Sequence, residues 1–197
     1  MERGVLFSAP MVRALLDGRK TMTRRIYKSR LVDNVEASLW SLPSPYGVPG
    51  DRLWVRETVL QAGEWVRRSP EDDTWSQWTG SDRLIYGADD LTRHEVSLPK
   101  GWKWRVWPSI HMRRVWSRIT LDVTAVRVER LHEITEEDAR AEGVEPLCEV
   151  LGIAGIGGVS GCRGAFFKLW ADINGHASLV ANPFVWVVSF QLQRSPL

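Results

Sequence analysis

Cysteine is scarce in this chain: Cys148 and Cys162 are the two in 197 residues. Neither belongs to a CxxC pair, and no histidine stands at ligand spacing from them, so neither a structural zinc nor a disulfide framework is expected. Long apolar runs are missing too, with none approaching the roughly 20 residues that cross a bilayer. The start, Met1-Glu2-Arg3-Gly4, lacks a signal peptide's apolar stretch and cleavage site. Net charge is small, at +2, and the 25% charged and 44% hydrophobic fractions are those of an ordinary globular chain. The expectation is a single cytoplasmic domain over residues 1–197 with no membrane partner, no metal and no cofactor.

Tryptophan, by contrast, is abundant, with eleven residues. Four of them, Trp102, Trp104, Trp107 and Trp116, lie in or beside a stretch, 100 to 118, that holds Lys100, Lys103, Arg105, Arg113, Arg114 and Arg118 and no acid. A second acid-free stretch, 19 to 30, holds Arg19, Lys20, Arg24, Arg25, Lys28 and Arg30. Cations interleaved with aromatics suit single-stranded nucleic acid, the rings stacking on bases and the charges holding the backbone. Equally, bulky rings fill small barrels and basic strands present solvated faces. The two blocks together leave these readings evenly matched.

Along the chain, Val5 to Ser8 reads as a short strand and residues 9–17 as a helix stopped by Gly18. Residues 51–59 alternate as a strand. Residues 118–131 form the clearest one, with a phase shift between Val123 and Val126 that predicts a bulge near Thr124. Thr135 can cap a helix over 136–142, with Asp138 as its acidic partner at the third position. Phe166, Leu169, Trp170 and Ile173 share helical spacing, and Phe184 to Leu192 is an apolar closing strand. Residues 60–100 read as a polar, irregular insertion with one short strand near Leu84 to Gly87. Residues 145–163 form a second insertion, glycine-rich and mobile. The order of elements suits an α+β fold, a mixed barrel flanked by helices.

Three residues could carry chemistry. Lys20 stands among Arg19, Arg24 and Arg25, whose charges disfavour its own and make it a plausible base. Thr23 offers a hydroxyl that such a lysine could activate, although positions i and i+3 of a regular strand face opposite ways. Glu142 falls in the last turn of its helix, where a carboxylate meets the negative end of the macrodipole at a cost of about 0.3–1 kcal/mol. By themselves these residues are read better as a basic strand whose threonines pack and as a surface glutamate.

The motifs change that balance. Gly18-Arg19-Lys20-Thr21-Met22-Thr23-Arg24-Arg25, then Pro49-Gly50-Asp51-Arg52-Leu53-Trp54-Val55, then Glu137-Asp138-Ala139-Arg140-Ala141-Glu142-Gly143 together resemble an ASCH domain, of the PUA-like β-barrel superfamily. Trp107-Pro108-Ser109-Ile110-His111-Met112, Ser117 to Thr120 and the end from Asn182 to Phe190 resemble the longer ASCH proteins of phages and prophages. The resemblance implies a PUA-like mixed barrel and a nucleoside or single-stranded nucleic-acid partner, RNA rather than DNA. Small bacterial ASCH proteins include metal-independent amidohydrolases that deacylate N4-acetylcytidine with a lysine, a threonine and a glutamate; by motif these are Lys20, Thr23 and Glu142. Arg19, Arg24, Arg25, Trp54, Ser109, His111 and Arg113 are the implied substrate contacts. The same resemblance leaves room for a non-catalytic RNA reader, a single-strand ribonuclease or a phage accessory protein.

Overall fold

A computed structural model describes residues 1–27, 43–67, 75–89, 97–153 and 156–193. Lys28 and Arg30 of the first basic block lie outside them. The fold is α+β with sheets predominating. Ten strands are described: β1 (Glu2–Leu6), β2 (Met22–Ile26), β3 (Arg52–Arg56), β4 (Val59–Arg67), β5 (Trp75–Tyr86), β6 (Lys103–Trp107), β7 (Thr120–Arg130), β8 (Leu147–Ile153), β9 (Gly157–Ser160) and β10 (Phe184–Leu192). The helices are α1 (Ala9–Leu16), α2 (Glu136–Ala141), α3 (Gly161–Asn174) and α4 (His176–Val180). The chain divides into two compact units, one of Met1–Arg3, Ala14–Trp54 and Ile119–Leu197, the other of Gly4–Arg13 and Val55–Arg118.

The strands form a five-stranded sheet in the order β1-β3-β7-β10-β2, a three-stranded sheet β5-β4-β6 and the hairpin β8-β9. Among the described residues there is no closed barrel, contrary to the expectation. Closure requires a partner for both edge strands, and here β1 and β2 are the two edges. The stretch expected as one strand over 51–59 breaks after Arg56, and β4 turns its hydrogen bonds to β5 and β6 instead.

In the first unit, β10 pairs antiparallel with both β2 and β7, and Val185 to Val188 are buried on both of its faces, which is why the run is continuously apolar. Between Ser189 and Phe190 the register skips from Ala125 to Val123, leaving Thr124 as the extra residue of the expected bulge. The core beneath this sheet gathers Met22, Leu131, Ile134, Phe166, Phe167, Trp170, Val185 and Val187. Phe167, fully enclosed, contributes about 1.5–3 kcal/mol by burial. Helix α3 is turned slightly from its expected face, for Phe167 is buried while Ile173 is 56% exposed. The glycine-rich stretch is not a loose insertion where it is described: it forms β8, β9 and the start of α3. That helix start is fastened by Glu136, whose carboxylate accepts from Cys162 N at 2.8 Å and Arg163 N at 3.0 Å.

In the second unit, the polar stretch 60–100 contains two long strands rather than one short one. Val59 and Met112 pack with Trp116, against Leu84, Tyr86 and Trp107. Glu57 is buried, and Arg118 neutralises it at 3.0 Å while also reaching Asp89 at 2.7 Å.

Candidate functional site

Lys20 owes its place to a tight exit from α1. Gly18, at φ +74°, ends the helix, and both Arg19 N and Lys20 N then donate to the Ala14 carbonyl at 2.9 Å. Thr21 N continues to Ala141 O at 2.8 Å, and Phe190 N donates to Thr21 O at 2.9 Å. These bonds join the residues before β2 to the end of α2 and to β10. Helix α2 begins as the sequence indicates, with Thr135 Oγ1 accepting from Asp138 N at 3.1 Å. It ends at Glu142, followed by Gly143 at φ +82°. A Cβ on Gly143 would lie 2.8 Å from Lys20 Cβ and 2.9 Å from Ala14 Cβ, so only glycine admits both the backbone twist and the close approach.

That approach brings Lys20 and Glu142 together. Their side chains are 1% and 5% exposed, and Nζ meets Oε2 at 2.8 Å. The ammonium also donates to Glu142 O and Met22 O, each at 2.8 Å. Burial pushes the Lys20 pKa below its ordinary value; Glu142 opposes the shift, and the Arg25 and Arg24 charges add to it.

The other carboxylate oxygen of Glu142 faces Arg24 Nη1 at 3.4 Å. Arg24 has no exposed side-chain surface, and its guanidinium is enclosed by acids: Glu129 at 2.5 Å and Asp138 at 2.6 Å. Arg127 bridges the same two, reaching Glu129 at 2.9 Å and Asp138 at 2.5 Å. The cluster therefore balances three cations, Lys20, Arg24 and Arg127, against three carboxylates, Glu129, Asp138 and Glu142. A buried guanidinium neutralised in this way helps hold the Glu142 carboxylate in place.

Thr23 is placed differently. It is buried, but the two-residue period of β2 sends it to the face opposite Met22 and Arg24. It is not one of the three acceptors around Nζ. Arg25 is half-buried on Thr23's face of the strand. Arg19 is exposed and pairs with Asp17 and Glu145, each at 3.0 Å. Trp54 is half-buried on β3. Ser109, His111 and Arg113 belong to the second unit. Ser109 O accepts from Arg56 Nε at 3.1 Å, His111 is exposed in a 3-10 turn, and Arg113 lies 5.1 Å from the Trp116 ring centroid.

The sequence reading missed Glu129, Arg127 and the true use of Asp138. The Asp138 side chain leaves its expected capping partner for Arg24 and Arg127. The available signal was register: Arg24 opposes Val187, which in turn opposes Arg127, so all three share one face.

Chemically, the cluster can hold a proton between an amine and a carboxylate out of contact with water. Among the described residues no group of three or more His, Cys, Asp or Glu side chains is arranged to hold a metal ion, and no helix is long and apolar enough to cross a membrane. Scans against protein-family models, curated proteins and solved structures find no match to this chain.

Proposed function

We propose that this chain is an ASCH-type amidohydrolase, removing the acyl group from an N4-acylated cytidine in the cytoplasm. The observation that carries the reading is the contact between Lys20 and Glu142. An amine and a carboxylate 122 residues apart meet at 2.8 Å in a buried setting. Burying two charges is costly unless they are well paired, and a lysine pushed toward its neutral form is suited to accept a proton. Lys20 takes the proton of the Thr23 hydroxyl as its oxygen bonds to the acyl carbon, and Glu142 carries that proton to the departing amine as the C–N bond breaks. A water then hydrolyses the acyl-threonine ester to release the acid and restore Thr23. Arg24 is a positioning residue that fixes the Glu142 carboxylate. Since Thr23 faces away from Nζ, its role in attack requires the start of β2 to re-form around bound substrate.

The test uses the purified full chain with N4-acetylcytidine, with and without EDTA, and chromatography of the nucleoside. Cytidine and acetate should appear in both conditions. Lys20→Ala, Thr23→Ala and Glu142→Ala should each remove most of the activity, because residues acting as one unit fail together. Lys20→Arg should be inactive as well, since a guanidinium keeps its proton near neutral pH. Activity surviving all three alanine substitutions would refute the assignment.

A second reading, a non-catalytic RNA reader, is favoured by one observation: all three donors of the Lys20 ammonium are satisfied internally. RNA binding without loss of the acyl group and without strand cleavage would establish it. Cleavage of single-stranded RNA while acetylcytidine persists would replace both with a ribonuclease.

A further inference from the structure

We propose that the three-stranded sheet of the second unit is a binding platform for single-stranded nucleic acid. It is separate from the Lys20 cluster and does not rest on the hydrolase reading. Its strands β4 and β5 lie in the stretch that the ASCH resemblance does not cover.

Strand alternation and register place Val59, Gln61, Gly63 and Trp65 of β4 on one face. Trp78, Gly80, Leu84 and Tyr86 of β5 join them, with Lys103, Arg105 and Trp107 of β6. The one acid of these strands that shares their alternation is Asp82, exposed in the stretch between Gly80 and Leu84 where the register shifts. One end of this face is covered, for Met112 and Trp116 pack there against Val59, Leu84, Tyr86 and Trp107. The other end carries Trp65, Trp78, Lys103 and Arg105, and Trp65 is 41% exposed.

Arg105 has an unusual setting. Its guanidinium lies 4.2 Å from the centroid of Trp107, 5.1 Å from Trp65 and 5.8 Å from Trp78. Among the described residues it has these ring contacts and neither a carboxylate nor a carbonyl acceptor. Elsewhere in the protein, buried or half-buried arginines such as Arg24 and Arg118 are neutralised by acids. Arg105 therefore keeps a full charge and a row of N–H donors, held in orientation by rings.

The rings are also set in advance. Gly63 and Gly80 oppose each other, and a Cβ on Gly63 would lie 2.8 Å from the Trp78 ring, while one on Gly80 would lie 2.3 Å from the Gln61 amide. The hollow left by this pair seats both groups. Trp78 Nε1 donates to Gln61 Oε1 at 3.1 Å, and Gln61 Nε2 donates to Ser81 O at 2.9 Å. Trp65 meets Trp78 in a T-shaped contact at 5.6 Å and still leaves 41% of its surface exposed. Arg113, beside Trp107 and Trp116, extends the positive charge along the rim.

An exposed ring beside an unneutralised, oriented guanidinium fits a partner that offers flat bases and phosphates together. An unpaired strand does so, because a base must leave its stack to lie on Trp65. An acidic peptide would engage the cations and leave the indole unused. A duplex would present phosphates with its bases hidden.

The experiment measures fluorescence anisotropy of labelled homopolymers of about 12 nucleotides, a length within single-strand site sizes, oligo-U and oligo-dT in parallel. A duplex of equal length and a polyglutamate peptide serve as comparisons, and the protein is the full chain. Either homopolymer should bind more tightly than the duplex or the peptide. Trp65→Ala should weaken binding about tenfold, equivalent to about 1.4 kcal/mol of stacking, and Trp65→Phe should restore most of it. Lys103→Gln should lower the salt slope by about one. Both substituted residues are exposed, so the fold is expected to survive, and near-UV circular dichroism checks that it does. Equal affinity for polyglutamate or duplex, or unaltered affinity in Trp65→Ala, would overturn the proposal. So would the absence of any binding at low salt.

Discussion

Replacing Glu142 by Gln keeps the shape of the side chain and removes the charge that faces Lys20. Arg24 retains Glu129 and Asp138, so the loss falls on the ammonium. Leaving one member of a buried pair uncompensated costs about 3–5 kcal/mol. Lysine has an escape, which is to fold without its proton. From an ordinary value of 10.5, that escape costs about 1.4 kcal/mol for each pH unit below it, about 5 kcal/mol near pH 7 and about 2 kcal/mol near pH 9. The sign follows from proton counting. Lys20 is lowered in the folded state, so the unfolded chain binds more protons, and stability from this group rises with pH until 10.5 is passed. Glu142 opposes the lowering; without it the window extends to lower pH and the variant gains more from alkali than the parent does. Urea unfolding followed by the fluorescence of the eleven tryptophans should therefore give a difference of about 3–5 kcal/mol near pH 7, shrinking to no more than about 2 near pH 9. A difference that is the same at both pH values, or below about 1 kcal/mol near pH 7, would refute the claim that Lys20 is buried and held by this carboxylate.

Other outcomes are equally specific. If Lys20 is the base, the deacylation rate should climb with pH and level off below 10.5, the ordinary lysine value from which burial lowers it; a rate flat from pH 5 upward would remove it from that role. Gly143→Ala should destabilise by about 1–3 kcal/mol from the left-handed backbone alone, and more from the crowding against Lys20 and Ala14, read by thermal or urea unfolding. Thr135→Ala should lose about 1 kcal/mol through the missing cap; an unchanged midpoint would show that the hydroxyl bond to Asp138 N contributes nothing.

How far the chain could be read in advance differs between its halves. Thr124, Thr135, Gly18 and the closing strand were legible because each depends on local rules: phase of alternation, capping chemistry, positive φ. Lys20 and Glu142 were legible as types and by motif, but their contact depends on Gly143 allowing two elements to touch, which no local pattern encodes. The burial of Arg24 was not legible, because a run of cations looks solvated until the opposing acids, Glu129 and Asp138, arrive from β7 and α2. The stretch from 60 to 100 looked irregular because β4 and β5 carry glycine and polar residues where apolar alternation is expected. Gly63, Gly80 and Gln61 serve the seat of Trp78 there. The single strand expected over 51–59 is interrupted at Glu57 and Thr58, and beyond them the chain pairs in a different sheet.

Helix α2 is six residues long, well short of the roughly 12–15 at which an isolated helix becomes even marginal. It persists because its first turn is capped by Thr135 and its last carbonyls are taken by Lys20 Nζ and Thr21 N. The same few bonds hold the carboxylate against the amine, so cluster and helix open as one cooperative segment. Hydrogen exchange at Thr21 should therefore report on the whole arrangement, because its amide donates to Ala141 O and is released when α2 detaches from the start of β2. A ligand that enters between them would be seen first as faster exchange at that single amide, before any change in the sheet.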